Sequence, residues 1–225
     1  MHKIIITFIN LIYENSCLIC GESSKKSVVC NACESNFIPR SQNHTKSFQG
    51  ITVFSWGIYD GKLRDGIMKL KLGKKDLAPY FSERLFDFWM KIPKEIKNKN
   101  HFVIGVPSHK RRIKQRGYCQ ASLIGELFAK KLGSKFMNNF IVRKKETSFM
   151  NSLSNVTERV ENIKNAFEIV GTLDKEEESI LIIDDILTSG STICELARTI
   201  RKRYPKVNLV GLTIASGDTY NLMGN

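Results

Sequence analysis

Apolar and polar positions alternate along this chain with two different periods. Strand-like segments are rich in β-branched and aromatic residues or are continuous apolar runs, and they lie at 51–59, 102–106, 180–183 and 207–215. Between them, apolar residues recur every three to four positions, which predicts helices over 62–72, 76–90, 117–132 and 192–203. Strands that alternate with helices predict an α/β fold, a parallel sheet flanked by helices.

The remaining segments suggest how the chain is organised. Four parts are predicted: an N-terminal helix and cysteine-rich segment over 1–40, a polar linker over 41–50, the α/β domain over 51–217 and a tail over 218–225. The apolar run at 4–12 is shorter than the roughly 20 apolar residues that span a bilayer. We therefore expect no membrane span and a cytoplasmic protein.

One segment inside the α/β domain lacks a long apolar face. We expect 147–165 to be a mobile excursion with one short helix. The residues at 166–170 that follow it predict an edge strand.

Basic residues outnumber acidic ones. The chain has 35 Lys and Arg against 22 Asp and Glu, a formal net charge of +13. This excess favours anionic partners such as phosphates or nucleic acid. A shift in overall composition without functional meaning would give the same excess, so the charge alone does not choose a function.

Four of the six cysteines form two CxxC pairs, Cys17 with Cys20 and Cys30 with Cys33. Two such pairs would close a tetrahedral zinc site without an open position, and such zinc is structural. Because the segment is too small for a core of its own, the metal would supply its folding energy. A redox-active dithiol is the alternative, although one pair would suffice for that. The segment would either dock on the main domain or contact nucleic acid or another protein.

Two adjacent carboxylates, Asp184 and Asp185, follow the apolar run 180–183 and precede a hydroxyl- and glycine-rich loop, 188–192. The loop leads into a predicted helix, whose unpaired N–H groups and dipole favour a phosphate. The carboxylates would need a partner such as sugar hydroxyls or Mg²⁺. The stretch therefore predicts a sugar phosphate site. The alternative is a turn in which the two aspartates only cap the next helix.

A dense basic run occupies 109–116, after the predicted strand 102–106 and before the helix that opens at Gly117. A strand, a basic loop and a helix N-terminus together indicate a second anion site. The alternative is a charged face exposed to water.

In this order, the motifs resemble those of the ComF family, competence-associated proteins similar to phosphoribosyltransferases. The segments that carry the resemblance are the CxxC pairs, Tyr59–Arg64, Leu70–Gly73, Pro107–Arg112, Arg116–Gln120, Arg159–Phe167 and 180–192. Together they cover residues 13–215. Cys119 stands where the family pattern has Asn, and 147–162 departs from the family spacing.

The resemblance implies a type I phosphoribosyltransferase-like fold that binds 5-phosphoribosyl 1-pyrophosphate (PRPP) with Mg²⁺. Asp184 and Asp185 would be the catalytic pair, holding the ribose hydroxyls directly or through Mg²⁺. Arg116 and Gly117 would contact the pyrophosphate. The residues that would surround the 5′-phosphate are Thr188, Ser189, Gly190, Ser191 and Thr192.

Two functions are compatible with these residues. The first is an enzyme, a pentosyl transferase that moves phosphoribosyl to an unidentified nitrogen acceptor. The second is a non-catalytic protein that binds PRPP or a nucleotide and handles single-stranded DNA during natural transformation, with competence proteins as partners. The basic residues that would contact DNA phosphates are Arg111, Arg112, Lys114 and Arg116.

Overall fold

A central five-stranded sheet organises the molecule, seen here in a computed structural model. The structure describes residues 16–24, 27–97, 99, 101–146, 156–173 and 179–217, without the side chains of 156–159. The strand order is β1-β2-β7-β6-β3. These strands are β1 (Thr45–Phe48), β2 (Ile51–Ile58), β3 (His101–Gly105), β6 (Ser179–Leu187) and β7 (Asn208–Ser216). A separate two-stranded sheet consists of β4 (Ile141–Arg143) and β5 (Phe167–Ile169).

Four strands of the main sheet run parallel, and β1 is antiparallel to β2. The predicted α/β fold is therefore confirmed, with one antiparallel strand added at the edge. That strand lies in the stretch 41–50, which we expected to be a linker. Gln49 and Gly50 both have positive φ, at 49° and 76°, as a two-residue hairpin turn requires. The polar composition of the stretch hid a strand that is held mainly by its pairing with β2.

Helices cover both faces of the sheet. They are α1 (Asn31–Glu34), α2 (Gly61–Lys71), α3 (Leu77–Trp89), α4 (Lys94–Lys97), α5 (Lys110–Arg116), α6 (Gln120–Leu132), α7 (Val156–Ile163) and α8 (Ser191–Arg203). The helices predicted from periodicity agree with α2, α3, α6 and α8 to within a few residues. The basic run, expected to be a loop, is instead the helix α5. Gly117 ends α5 in the left-handed conformation, at φ 85°, and this turn separates α5 from α6.

The residues of β6 divide the core into two layers. Leu181 and Ile183 belong to the layer beneath α2, α3 and α6, whereas Ile180 and Ile182 belong to the layer beneath α8. All four side chains are fully buried. The continuous apolar run therefore forms a strand that is buried on both faces, as the sequence predicted.

The cysteine-rich segment docks on the α2–α3 side of the domain. Cys17, Ile19 and Cys33 are buried in the same apolar cluster as the inward faces of α2 and α3. A Cβ atom built on Gly66 of α2 would lie only 2.9 Å from Cδ1 of Ile19, so the segment approaches that helix very closely. These contacts agree with the docking interpretation.

Several predictions fall wholly or partly outside the described residues. The N-terminal helix and the tail 218–225 lie outside them, as do residues 147–155 of the expected excursion. The short helix predicted in that excursion corresponds to α7. The strand predicted at 166–170 is β5, which pairs with β4 and is an edge strand of the separate two-stranded sheet. Across the described part of the chain, no helix is both long and apolar enough to cross a membrane.

Candidate functional site

A cavity of about 600 Å³ opens at the carboxyl ends of the parallel strands. This is the edge at which open α/β sheets bind ligands. The predicted site residues that line the cavity are Asp184, Asp185, Thr188, Thr192 and Arg116. They come from β6, the loop after it, the start of α8 and the end of α5, so the fold unites two motifs that lie about seventy residues apart in the sequence.

The acid pair lies within the last four residues of β6. Oδ1 of Asp184 accepts a hydrogen bond of 2.9 Å from the backbone N–H of Asp185. Burial, together with the adjacent Asp185 carboxylate, raises the pKa of Asp184 to about 8. Two ionised carboxylates are therefore costly in this position unless a cation lies beside them.

Lys71, at the end of α2, supplies one such cation. Its Nζ atom lies 3.1 Å from Oδ2 of Asp185, and the two side chains are only 24% and 15% exposed. Sequence reasoning did not select Lys71 as a site residue. Its position in the segment Leu70–Gly73, which carries part of the family resemblance, was the available signal.

Gly190 shapes the predicted phosphate loop. It has φ 71° and forms the N-cap of α8, a conformation that favours glycine. A Cβ atom at this position would lie 2.7 Å from the ring of Phe48 in β1. Next to it, the hydroxyls of Ser189 and Ser191 hydrogen-bond to each other at 2.7 Å. The glycine is therefore required by its backbone conformation and by the neighbouring aromatic ring.

The opposite wall of the cavity is basic. Arg116 at the end of α5 donates a hydrogen bond of 3.2 Å to Oε1 of Gln120. Arg143 of β4 also lines the cavity. Burial and the nearby Arg112 lower the pKa of Arg143 to about 10, so its guanidinium remains charged at neutral pH. Neither Gln120 nor Arg143 was selected by sequence reasoning.

The four basic residues predicted to contact DNA differ in their exposure. Arg116 lines the cavity, and Arg112 is half-buried close to it. Arg111 and Lys114 are exposed, and Arg111 forms an ion pair of 3.0 Å with Glu146. The set therefore divides into a cavity side and a water-facing side.

The rim of the cavity is apolar where α2 ends. Met68 and Leu72 line it while remaining 39% and 76% exposed. The cavity thus combines a charged floor with an apolar edge that a flat ring could cover.

The four N-terminal cysteines form a second candidate site, and their Sγ atoms all lie within 4.8 Å of one another. Cys17 and Cys33 are separated by 3.8 Å, and Cys20 and Cys30 by 3.7 Å. Four sulfurs at the usual Zn–S distance of about 2.3 Å form a tetrahedron with edges of about 3.8 Å. The Sγ atom of Cys17 also accepts hydrogen bonds from the N–H groups of Ile19 and Cys30. The arrangement fits a zinc ion.

Part of the chain is similar to known proteins. Residues 124–218 match the family model of the phosphoribosyl transferase domain. Competence protein F of Haemophilus influenzae is 34% identical over 103 residues, 44% of each chain. DNA utilization protein YhgH of Salmonella typhimurium is 33% identical over 98 residues, 44% of this chain and 42% of that protein. A crystal structure of adenine phosphoribosyltransferase gives a TM-score of only 0.38 at 16% identity, covering 64% of this chain and 69% of that one.

Residues 124–218, less than half of the chain, therefore resemble a phosphoribosyl transferase domain. Over less than half of its length, the chain is also similar to proteins named for competence and DNA utilization. The matched segment spans less than half the length of either relative.

Proposed function

We propose that the cavity binds PRPP with Mg²⁺ and that the protein transfers the phosphoribosyl group to a nitrogen acceptor. The observation that carries this proposal is the meeting of an acid pair, a helix N-terminus and a basic wall in one cavity of about 600 Å³. These are the three kinds of group that a pentose with two phosphorylated ends requires.

Each part of PRPP has residues suited to it. Asp184 and Asp185 would hold the ribose hydroxyls, and the N-terminus of α8 with Thr188 and Thr192 would bind the 5′-phosphate. Arg116 would face the pyrophosphate, where the turn at Gly117 sets its position.

The acid pair also fits Mg²⁺, because carboxylate oxygens are ligands that this ion prefers. When bound, Mg²⁺ would offset the negative charge of the pyrophosphate. Lys71 already holds a positive charge against Asp185, which supports the assignment of this position to a cation.

The reaction would be a displacement at C1 of the ribose. The acceptor nitrogen supplies the electron pair of the new bond, the C1–oxygen bond breaks, and its electrons leave with pyrophosphate while the acceptor proton passes to solvent. The chain contributes by positioning and by electrostatic stabilisation. The apolar rim at Met68 and Leu72 favours a flat acceptor such as a nucleobase.

Calorimetry tests binding directly. Wild-type protein should bind PRPP more tightly with Mg²⁺ than without it, and Asp185→Asn should remove most of this difference, because one of the two carboxylates is lost. Asp87→Asn, on the exposed side of α3, is a suitable control. No PRPP binding by folded wild-type protein at millimolar Mg²⁺ would overturn the proposal. If wild-type protein does bind PRPP, a screen of nucleobases for pyrophosphate release would identify the acceptor.

A second candidate function is non-catalytic binding of PRPP or a nucleotide, coupled to handling of single-stranded DNA. It is favoured by the exposed cations Lys110, Arg111 and Lys114 beside the cavity and by the names of the relatives, which refer to competence and DNA utilization. In that case, PRPP should bind without turnover with any acceptor.

DNA binding has its own test. The logarithm of the affinity for single-stranded DNA should fall with the logarithm of salt concentration by about 0.7 per phosphate contact. Neutralising Arg111 and Lys114 should reduce that slope if these exposed residues contact DNA. An unchanged slope and affinity would exclude this surface.

We further propose that the four N-terminal cysteines hold one structural zinc ion. The distances between the sulfur atoms support this site. Cysteines that bind a metal instead of forming disulfides are typical of a reducing compartment, which supports a cytoplasmic location. Competence proteins remain proposed partners.

A further inference from the structure

Gln120 is a buried polar residue at the cavity whose hydrogen bonding is incomplete. It is the first residue of α6, lines the cavity and is 3% exposed. Its Oε1 accepts the hydrogen bond from Arg116. Because a guanidinium only donates, this contact fixes which end of the amide is oxygen. Nε2 is therefore the donor end, and it has no hydrogen-bond partner among the residues that the structure describes.

A buried donor without a partner destabilises a fold, and native proteins contain few of them. A group other than the protein can satisfy such a donor in the working state. At a cavity wall, a bound ligand is the natural candidate.

The surroundings of Gln120 indicate the chemistry of that ligand. The N–H groups in the first turn of α6 point out of the helix start, and the N-cap residue Cys119 makes no side-chain hydrogen bond to them. The guanidinium of Arg116 lies beside them. Nε2 of Gln120, the N–H groups at the start of α6 and the guanidinium of Arg116 are all hydrogen-bond donors. The helix start and the guanidinium also favour negative charge, so the ligand group is an anion.

We propose that Gln120 is a binding residue for the diphosphate group of PRPP, acting with Arg116 and the N-terminus of α6. The assignment rests on the proposed function and makes it more specific. The acid pair and the loop 188–192 account for the ribose and the 5′-phosphate, which leaves the diphosphate for the end of the cavity formed by Arg116 and Gln120.

A purely structural role must be separated from direct binding. Gln120 could act only by holding Arg116 in place. Gln120→Glu keeps an oxygen that accepts from Arg116 but replaces the free donor with a negative charge. Gln120→Met removes the polar group altogether and leaves no unsatisfied donor in the core.

The experiment compares PRPP with ribose 5-phosphate, which lacks the diphosphate, by calorimetry in the presence of Mg²⁺. Both variants should lose affinity for PRPP about tenfold or more, the value of a hydrogen bond to a charged group, and Gln120→Glu should lose the most. Affinity for ribose 5-phosphate should be unchanged in Gln120→Met. The midpoint of thermal unfolding of Gln120→Met should equal or exceed that of wild type, because the unsatisfied donor is gone.

Three results would overturn the assignment. If Gln120→Glu binds PRPP like wild type, the residue only positions Arg116. If Gln120→Met unfolds at a lower temperature but keeps its PRPP affinity, the residue is structural. If wild-type protein binds ribose 5-phosphate but not PRPP, or binds neither, the proposed function itself is wrong, and this outcome is recognised without any variant.

Discussion

Nζ of Lys71 lies 3.1 Å from Oδ2 of Asp185, so a residue from α2 neutralises part of the acid pair that ends β6. The contact joins the sequence segment Leu70–Gly73 to the acid pair that precedes the loop 188–192. It also places a side-chain cation where a divalent ion would bind. Lys71 and a metal ion are therefore expected to compete for Asp185.

The first prediction follows from this competition. Lys71→Met should tighten the binding of Mn²⁺, used as a spectroscopic substitute for Mg²⁺, to the protein without PRPP. The gain should be about fivefold, since a partly exposed ion pair is worth roughly 1 kcal/mol. Lys69→Met, on the exposed face of the same helix, is the matched control. Equal Mn²⁺ affinities in the two variants would mean that Lys71 does not occupy the cation position.

The second prediction concerns Gly190, whose conformation and close contact with Phe48 both exclude a side chain. Gly190→Ala should lower the free energy of unfolding by about 1–2 kcal/mol for the left-handed backbone and by about 1–3 kcal/mol more for the crowding against Phe48. PRPP affinity should fall as well, because the loop must shift.

Gly133 offers the matched control for that experiment. Its φ of 73° is nearly the same, but a Cβ atom there would meet nothing within 4 Å. Gly133→Ala should therefore show the backbone cost alone in chemical denaturation. Adding Phe48→Ala to Gly190→Ala should recover part of the excess. Equal losses in the two single variants would show that the contact with Phe48 is unimportant.

What the sequence predicted well was encoded locally. The run 180–183, the acid pair and the loop 188–192 are contiguous, so their strand, their edge position and their helix start follow from neighbouring residues. Lys71 was missed because its role depends on a contact across the fold, and Gln120 was missed because its burial at the cavity depends on how the fold is assembled. In the sequence alone, Lys71 does not differ from the other lysines of α2, because only the fold brings it to Asp185.

The misassigned elements have similar physical reasons. The strand β1 is short and polar, and its stability comes from pairing with β2 and from contacts such as Phe48 against Gly190. The basic run 109–116 forms a helix because Lys, Arg and Gln are good helix formers and Gly117 supplies a C-terminal stop. Its charge indicated an anion site, but the helix preference of its residues was not considered.

The third prediction uses the buried histidine of β3. His101 donates from Nε2 to the carbonyl of Ile96 and accepts at Nδ1 from the hydroxyl of Ser179, both at 2.8 Å. Its ring also packs edge-on against Trp89. Burial lowers the pKa of His101 below its usual value of 6.5, although the bond to Ile96 opposes this.

A lowered pKa means that the unfolded chain binds the proton more readily than the folded one. Stability should therefore be complete above about pH 6.5 and should fall as the pH drops below it, by at most about 1.4 kcal/mol per pH unit. His101→Asn should reduce this slope in denaturation experiments between pH 7.5 and 5.5, whatever its effect on stability at pH 7.5. An identical slope in wild type and variant would contradict the buried neutral histidine.

The last prediction concerns the cysteine site. Purified protein should contain one equivalent of zinc, and Cys30→Ser should lose it because three sulfurs no longer complete the tetrahedron. Cys17, Ile19 and Cys33 are buried in the same cluster as α2 and α3, so metal loss should also destabilise that side of the main domain. We expect a lower midpoint of thermal unfolding in Cys30→Ser and in wild-type protein treated with a chelator. Cys194→Ser, a change in α8, should keep its full equivalent of zinc. Zinc well below one equivalent in wild type, with all four thiols freely reactive, would rule out the metal site.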